Sequence, residues 1–594
     1  MKIKHFFGLA VIAAMTASCS SNEDLGTAGS GTGTNEAGVG YVAFNINLPT
    51  QSGSSSRAGS ENDQFDAGTP NEYDVKDATL LIFEGSSESS AQFKGAYTLN
   101  TAPWKDNGKT DNITTTSATI VKQIDTPASS GHCYALVVLN KNGVFTVDET
   151  AKTITLKGAT ATFSGTYKDF AESLSEENLT NNGFYMANAP LASVAGGATD
   201  PAGAEINTLA TLDGKIKEKE SEAKSAPAQI YVERGVAKVT MQNTSSPTTV
   251  DGSTKFGGTS TVDFKITSWV LDNTNKKTYL VRSTDGFDVW TSLASNSTTL
   301  LPANKYRFIG SNAVATGLYR TYFAKDANFD QTGNNTALAD GDLVTKTSPT
   351  FVDKFGNDNP QYCFENTFDA ACQKDQYTTR VLIKAKLNSG DTFYVFNGDQ
   401  NTIYPIDKVK NEIKKYYLIE NEAWIKANVT PATGKSEVNG DDLDVEITDA
   451  AGKVSITSIT FKSGVTVSSS ATVPTNYDEV LKRIGSIDEY KNGESYYFVR
   501  IKHFGDDMTP WNKDETTKPS TSSIYPEDHL KENYLGRYGV LRNNWYDISV
   551  TGVKGLGSAV VPKVTPNTDD ELKSYIAVKI NVLSWAKRSQ SVVL

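Results

Sequence analysis

The sequence predicts a mainly β protein made of two antiparallel β-sandwich domains with a few short helices. Short apolar runs recur along the chain, separated by turns rich in Gly, Ser, Thr and Asn, which is typical of antiparallel sheets. A chain of 594 residues is too long for a single core. A highly charged stretch, 213–227, separates two series of such runs, so we place the domain boundary there.

The composition narrows the classes of function. The chain is 38% hydrophobic and 21% charged, which is enough apolar residue for buried cores. Its net charge of −12 and pI near 5.1 argue against nucleic acid as a partner. After the N-terminus, no apolar run approaches the roughly 20 residues that a membrane helix needs.

Residues 1–18 have the features of an export signal. Lys2 and Lys4 precede a short apolar run at 6–15, and small residues then lead to Cys19. A small-residue site that ends in cysteine resembles a lipobox, so we expect Cys19 to become the lipidated first residue after cleavage. The alternative is an ordinary signal peptide with a chance cysteine.

Residues 19–57 are predicted to be a lipidated propeptide that contains one strand. A Gly/Thr-rich tether at 25–40 leads into a run in which every second residue is apolar. The residues on this apolar face are Val42, Phe44, Ile46 and Leu48. Arg57 is the only basic residue between 51 and 72. A trypsin-like protease would find Arg57-Ala58 in a polar loop, whereas the alternative is an incidental loop arginine.

The two predicted domains are residues 58–227 and 228–576. In the first, 78–83, 133–140 and 183–190 are expected to be strands, and 167–178 a helix. The second is expected to open with a strand in 229–240 and to contain a helix at 477–484. Its further predicted strands lie in 261–271, 379–387, 392–396, 495–504 and 545–550.

The last segment, 577–594, consists of a strand, a short basic kink and a second strand. Apolar residues alternate with polar ones in both strands, and the chain stops on Leu594. Because a terminal segment normally frays, this apolar ending needs a groove, either in its own domain or in a neighbouring molecule. The apolar residues that would occupy such a groove, as part of a strand donated by this segment, are Val578, Ile580, Val582, Trp585, Val592 and Leu594.

The sequence contains no recognisable catalytic or metal motif. Its four histidines have no partners at zinc-binding spacing, so we predict neither an enzyme nor a cofactor. Asp326, Asn328 and Asp330 have the spacing of a calcium loop, but Ala337 stands where the bidentate glutamate belongs. We therefore favour a polar loop that caps its own turns.

Cysteines are few. The spacing of Cys363 and Cys372 allows a disulfide in an exported protein, and two buried thiols are the alternative. Cys133 opens an apolar run and is expected to be a buried core thiol.

Several short motifs occur in a fixed order along the chain. They are the Cys19 lipobox, Ser56-Arg57-Ala58-Gly59, the run 232–238 (VERGVAK), the run 541–548 (LRNNWYDI), the run 554–557 (KGLG) and Val582-Leu583-Ser584-Trp585. In this order they resemble the major subunit of the short, Mfa-type fimbriae of Bacteroidales, in the FimA-like fimbrillin superfamily. The resemblance covers most of the chain, apart from about 270–375 and 425–475.

The resemblance implies a fold and an assembly route. It implies transthyretin-like fimbrillin sandwiches and a precursor anchored in the outer membrane through a lipid, such as palmitate, on Cys19. The strand at 41–49 would complete its own first domain until a protease cuts after Arg57. The 577–594 segment of a neighbouring subunit would then fill the groove by strand addition.

The partners implied are further copies of the chain in a head-to-tail filament, with accessory, tip and anchor subunits. The location implied is a cell-surface fimbrium that supports adhesion. Two alternatives to a shaft subunit stay open. One is a tip, accessory or anchor subunit of the same fimbria, and the other is a monomeric surface lipoprotein that binds glycans.

Overall fold

The computed structural model describes residues 39–48, 69–101, 117–125, 131–195, 205–243, 247–251, 255–256, 260–284, 309–322, 324–328, 343–344, 349–367, 372–503, 537–566, 576–584 and 590–591. The six α-helices in these ranges are α1 (Pro70–Tyr73), α2 (Tyr167–Ala171), α3 (Glu220–Ser225), α4 (Ile406–Glu420), α5 (Glu422–Asn428) and α6 (Tyr477–Ile484).

The strands fall into three successive groups along the chain. The first group is β1 (Val39–Asn47), β2 (Ala78–Gly85), β3 (Gln92–Thr98), β4 (Ser117–Asp125), β5 (His132–Leu139), β6 (Phe145–Asp148), β7 (Thr153–Leu156), β8 (Leu174–Ser175), β9 (Met186–Asn188), β10 (Leu191–Ala192), β11 (Ile206–Asn207), β12 (Ala210–Thr211) and β13 (Ala228–Arg234).

The second group is β14 (Ala237–Gln242), β15 (Lys255–Phe256), β16 (Ser260–Thr261), β17 (Phe264–Asp272), β18 (Thr274–Asn275), β19 (Thr278–Tyr279), β20 (Ile309–Ala315), β21 (Leu318–Thr321), β22 (Leu343–Val344), β23 (Gln361–Cys363) and β24 (Arg380–Leu387).

The third group is β25 (Phe393–Phe396), β26 (Thr402–Ile403), β27 (Val429–Thr430), β28 (Leu443–Ala450), β29 (Lys453–Phe461), β30 (Thr466–Val467), β31 (Ile487–Tyr490), β32 (Glu494–Arg500), β33 (Asn544–Val553), β34 (Ile576–Ser584) and β35 (Gln590–Ser591). The fold is therefore mainly β with a few short helices, as the sequence predicted.

The first domain is built on an eight-stranded sheet. Its strand order is β3-β2-β5-β9-β13-β1-β4, with β12 added beside β5. β2 and β5 are apolar on both faces and almost wholly buried, which places them at the centre of this domain's core. Ile230, Val232 and Val236, which follow the predicted boundary at 227, pack in the first core. Leu280 and Val281, later in the chain, belong to the same cluster.

The second domain packs two sheets over one core. One sheet has the order β23-β14-β33-β34-β35, and the other has the order β17-β24-β32. Alternate residues of β14 and β33 from the first sheet, and of β17, β24 and β32 from the second, meet in a single apolar cluster. This arrangement is a β-sandwich in which neighbouring strands are antiparallel, except for the parallel pair β14 and β33.

A third core was not predicted from the sequence. The chain leaves β24 and returns in β32, which are antiparallel neighbours from Arg380↔Arg500 to Lys386↔Glu494. Between them, the sheet β25-β31-β29-β28 packs with α4 and α6 around its own apolar cluster. Residues 393–490 thus form an α/β unit inserted within the predicted second domain, 228–576.

One of the two predicted helices is shorter than expected. α6 matches the predicted 477–484, but the helix expected at 167–178 ends at Ala171. Leu174–Ser175 instead pairs with β19, so a cross-strand contact with a distant segment overrides local helix propensity. None of the helices in the part of the chain that the structure describes is long and apolar enough to cross a membrane.

Candidate assembly site

β1 is a buried inner strand of the first sheet. Val42, Phe44 and Ile46 are 0% exposed and Leu48 is 5% exposed. Tyr41, Asn45 and Asn47 on the other face are partly exposed and Ala43 is buried, as expected for an inner strand with one face on the core. The structure therefore places the whole predicted apolar face of this strand in the first core.

β1 is held by backbone pairing on both sides. It runs antiparallel to β4 along its full length, from Val39↔Asp125 to Asn47↔Ser117. On its other side it runs parallel to β13, but only from Phe44↔Ala228 to Asn47↔Tyr231. In the described sheet β4 is the outermost strand and pairs only with β1, so loss of β1 would leave β4 without a neighbour.

The part of β1 that precedes its pairing with β13 contacts the charged stretch 213–227. Tyr41 exchanges two backbone hydrogen bonds with Lys217, N to O, of 2.7 and 2.9 Å. α3 follows directly and packs on β1 and β4, with Ala223 as its only buried residue. The sequence analysis used this charged stretch only as a domain boundary, and its contact with β1 was not predicted. The apolar Ala223 inside a charged run was the one available signal.

The C-terminal strand β34 belongs to the second domain of its own chain. It pairs antiparallel with β33 from Asn544↔Ser584 to Val553↔Ile576. In this register Val578 lies opposite Val550, Ile580 opposite Ile548 and Val582 opposite Tyr546. The backbone of 576–584 is therefore paired along its length with its own second domain, one of the two locations that the sequence left open.

In the second half of the C-terminal segment the structure describes only β35. It pairs antiparallel with β34 at Lys579↔Ser591 and Ile580↔Gln590. The predicted kink at 585–589 lies outside the described residues. Six predicted site residues lie outside the described residues: Cys19, Arg57, Ala58, Trp585, Val592 and Leu594.

The two cysteines at 363 and 372 are both buried thiols in the structure. The disulfide that their spacing allows is therefore not formed here. Cys363 lies on β23 and contributes its side chain to the second core, where a thiol packs as a small apolar group. Cys133 is a buried thiol as well, and burial raises its pKa to about 12.

The described part of the calcium-like segment, 326–328, is held by hydrogen bonds, and Asp330 and Ala337 lie outside the described residues. The fully buried carboxylate of Asp326 accepts N–H groups from the Asn328 backbone, the Thr367 backbone and the Asn275 side chain at 2.7–3.0 Å. Asn328 in turn bonds the backbone of Lys277. The contact between Asp326 and Asn328 is local, whereas the others join the segment to Asn275, Lys277 and Thr367. Burial raises the pKa of Asp326 to about 6.

Comparisons with known proteins place the C-terminal part of this assembly site in a family. Residues 488–591, which include β33, β34 and β35, match the model described as "Major fimbrial subunit protein type IV, Fimbrillin, C-terminal". No curated protein matches the sequence.

Several solved structures resemble the chain along most of its length. A proposed cell adhesion protein from Parabacteroides distasonis is 12% identical, with a TM-score of 0.34 over 93% of this chain and 98% of that one. The tip fimbrial protein Mfa3 from Porphyromonas gingivalis is 9% identical, with a TM-score of 0.31 over 92% of this chain and 100% of that one.

The family match includes the very segment whose apolar ending called for a groove. It also covers three of the motifs on which the resemblance was based: 541–548, 554–557 and 582–585. Residues 488–591 are therefore similar to the C-terminal part of fimbrillins, in agreement with the family to which the motifs pointed.

Proposed function

We propose that this protein is a structural, non-enzymatic shaft subunit of a cell-surface fimbria. The observation on which the proposal rests is the position of β1. This buried inner strand is joined to the rest of its domain through residues 49–68, which contain Arg57. A single cut after Arg57 would therefore separate a core strand from the fold that it completes.

Loss of β1 creates a strong demand for a replacement strand. Burial of a large apolar side chain contributes about 1.5–3 kcal/mol, so four or five such side chains contribute on the order of 10 kcal/mol before ordering costs. The vacated groove would also expose backbone groups of β4 and β13 that β1 had paired. Unpaired strand edges of this kind invite another strand.

The replacement strand in this proposal is the C-terminal segment of a neighbouring subunit. Release of β34 would break its long ladder with β33, whereas release of β35 breaks a ladder of two residue pairs. The exchange therefore begins with the residues beyond Ser584, where Trp585, Val592 and Leu594 supply apolar side chains. Val578, Ile580 and Val582 follow only where β34 separates from β33.

The resulting contact is head-to-tail and yields a filament, since donor and groove lie at different places on each subunit. In the same proposal the precursor reaches the surface as a lipoprotein through Cys19 and leaves its outer-membrane anchor on cleavage. Accessory, tip and anchor subunits of the fimbria are the expected heterologous partners, and adhesion is the expected role of the assembled fibre.

Limited trypsin digestion of the purified precursor tests the proposal. We expect wild type to convert from monomers to filaments, seen by size-exclusion chromatography and negative-stain microscopy. The Arg57→Ala variant should keep its N-terminal strand and stay monomeric under the same digestion. Filaments from Arg57→Ala, or monomers from correctly cut wild type, would refute the proposal.

A tip or accessory subunit of the same fimbria is the second candidate. The observation in its favour is the pairing of β34 with its own domain, which a subunit that never donates a strand would also show. Immunogold labelling separates the two candidates. A shaft subunit is labelled along the whole filament, and a tip subunit is labelled only at one end.

A further inference from the structure

A buried cluster of polar and charged residues joins the two domains. Glu72 in α1 meets Lys238 in β14, and their side chains are 0% and 1% exposed. The Lys238 ammonium lies 2.8 Å from one Glu72 carboxylate oxygen and 3.1 Å from the other. We call Glu72, Arg234, Lys238 and Tyr362 the interdomain joint.

The other contacts of the joint satisfy most of the hydrogen-bonding capacity of Glu72. The Tyr362 hydroxyl donates to Glu72 Oε1 at 2.6 Å, and the Thr69 backbone N–H donates to Oε2 at 2.9 Å. Arg234 Nε donates to the Glu72 backbone carbonyl at 2.8 Å. The Lys238 ammonium also lies 3.9 Å from the centre of the Trp545 ring, where a cation is favoured.

This cluster has the properties of a specificity device. A buried ion pair adds little stability over apolar side chains of the same size, because both charges lose their hydration. Removal of one partner alone is strongly unfavourable, since the other charge is then left buried. The joint therefore tolerates one arrangement of the two domains and penalises others.

The position of the joint links it to both halves of the assembly site. Glu72 lies shortly after residues 49–68, which contain the predicted cleavage point. Arg234 ends β13, the parallel neighbour of β1, and Lys238 lies in β14, the parallel neighbour of β33. The path from β1 to β34 thus runs through two pairs of adjacent strands that meet at the joint.

We propose that Glu72 is a positioning residue that clamps the first turn after the cleavage loop to the second domain. It thereby fixes the orientation of the β1 groove relative to the C-terminal strand of the same chain. The clamp itself is independent of how the protein assembles. Its consequence, a filament with a uniform repeat, rests on the proposed function.

Hydrogen-exchange mass spectrometry of the uncut precursor tests the clamp. We expect peptides covering 69–77 to exchange at least tenfold faster in Glu72→Gln and in Lys238→Met than in wild type, while β2 stays protected. The double variant should recover part of the protection, because neither Glu72 nor Lys238 is then left as a buried charge without its partner. The matched control replaces Glu220 and Lys224, an ion pair on α3 with side chains more than half exposed, by Gln and Met.

Two results would overturn the clamp. One is unchanged exchange of 69–77 in both single variants, and the other is an equal increase in the control variant. Glu72→Gln keeps the shape of the side chain, and Lys238→Met places an apolar chain against Trp545, so two independent variants report on the same contact.

A distance measurement tests the orientation, which a merely stabilising residue would leave unchanged. Spin labels on Lys94→Cys in the first domain and Thr551→Cys in the second, both at exposed positions, should give one narrow distance distribution in wild type. The distribution should broaden in Glu72→Gln. A distribution equally narrow in both proteins would refute the positioning role. Failure of wild type to polymerise after cleavage would count only against the proposed function.

Discussion

Phe44 is the largest apolar side chain on the buried face of β1 and is 0% exposed. Truncation of a buried phenylalanine leaves a cavity and costs about 3–5 kcal/mol. We therefore expect Phe44→Ala to lower the unfolding midpoint of the first domain in the uncut precursor, measured by guanidinium titration. Filaments built from the cut variant should be as stable as wild-type filaments, because the altered residue has been removed.

Asn45→Ala is the matched control for this prediction. Asn45 neighbours Phe44 in β1 but is only partly buried, and its side chain bonds Gln229. Its substitution should lower the free energy of unfolding by roughly 1 kcal/mol or less. Equal losses in the two variants, or a Phe44→Ala defect that persists in filaments, would argue against β1 as a disposable core strand.

The ion pair between Glu72 and Lys238 predicts how the stability of the fold depends on pH. Burial by itself raises the pKa of Glu72, but the Lys238 ammonium and the hydrogen bonds from Lys238 and Tyr362 outweigh it, so the pKa lies below its ordinary value of 4.5. A carboxyl group with a lowered pKa stabilises the fold above its unfolded pKa, and this contribution fades as pH falls through the folded pKa.

The stability difference between wild type and Glu72→Gln should therefore be full at neutral pH and constant down to about pH 5. It should shrink as the pH falls below 4.5, the ordinary pKa. Urea titrations of both proteins at several pH values measure this difference. A difference that grows on acidification would show that Glu72 is not held as the ionised partner of Lys238.

At the residue scale, burial could be predicted where apolar residues repeat along a strand, but not where a residue contacts partners far away in the sequence. The alternation of Val42, Phe44, Ile46 and Leu48 has the period of a strand, and all four are buried. Glu72 stands in a polar stretch with no local pattern. Its partners Lys238 and Tyr362 are far away along the chain, so its burial could not be predicted.

At the scale of elements, β34 and the residues beyond it should behave differently when deleted. A chain that ends at Ser584 keeps the full pairing of β34 with β33, so we expect a folded monomer that does not polymerise after cleavage. A chain that ends at Ser574 loses β34 and leaves one edge of β33 unpaired. We expect its second domain to unfold at lower temperature, as measured by calorimetry.

These two truncations separate the roles of the halves of the C-terminal segment. Filaments from the chain ending at Ser584 would mean that the residues beyond it donate nothing. An unchanged melting temperature in the chain ending at Ser574 would mean that β34 is not an integral strand of the second sheet.

The inserted unit shows which elements could have been predicted. Val409, Ile413 and Tyr417 recur every four residues along one face of α4 and are all fully buried, so a helix signal was present in the sequence. The segments that pack against α4 could not be predicted, because the sequences of β28 and β29 are equally compatible with strands of a sandwich. The early end of α2 could not be predicted from the sequence, because the strand that follows it, β8, pairs with the distant strand β19.

At the scale of the whole molecule, the groove and the strand that would fill it lie in different domains of one chain. β1 completes the first sheet and β34 lies in a sheet of the second domain. Under the proposed function, the intact precursor would already have a strand in its groove, so assembly would begin only after β1 is removed. The separation would then allow a chain that carries both donor strand and groove to be exported as a monomer.

The start of the chain in assembled fibres tests this account most directly. Subunits extracted from surface filaments should give an N-terminal sequence beginning at Ala58, with an intact mass that lacks residues 1–57 and any lipid. Filament subunits that begin at a lipidated Cys19 and retain the strand at 41–49 would contradict the account, because the groove would then never have opened.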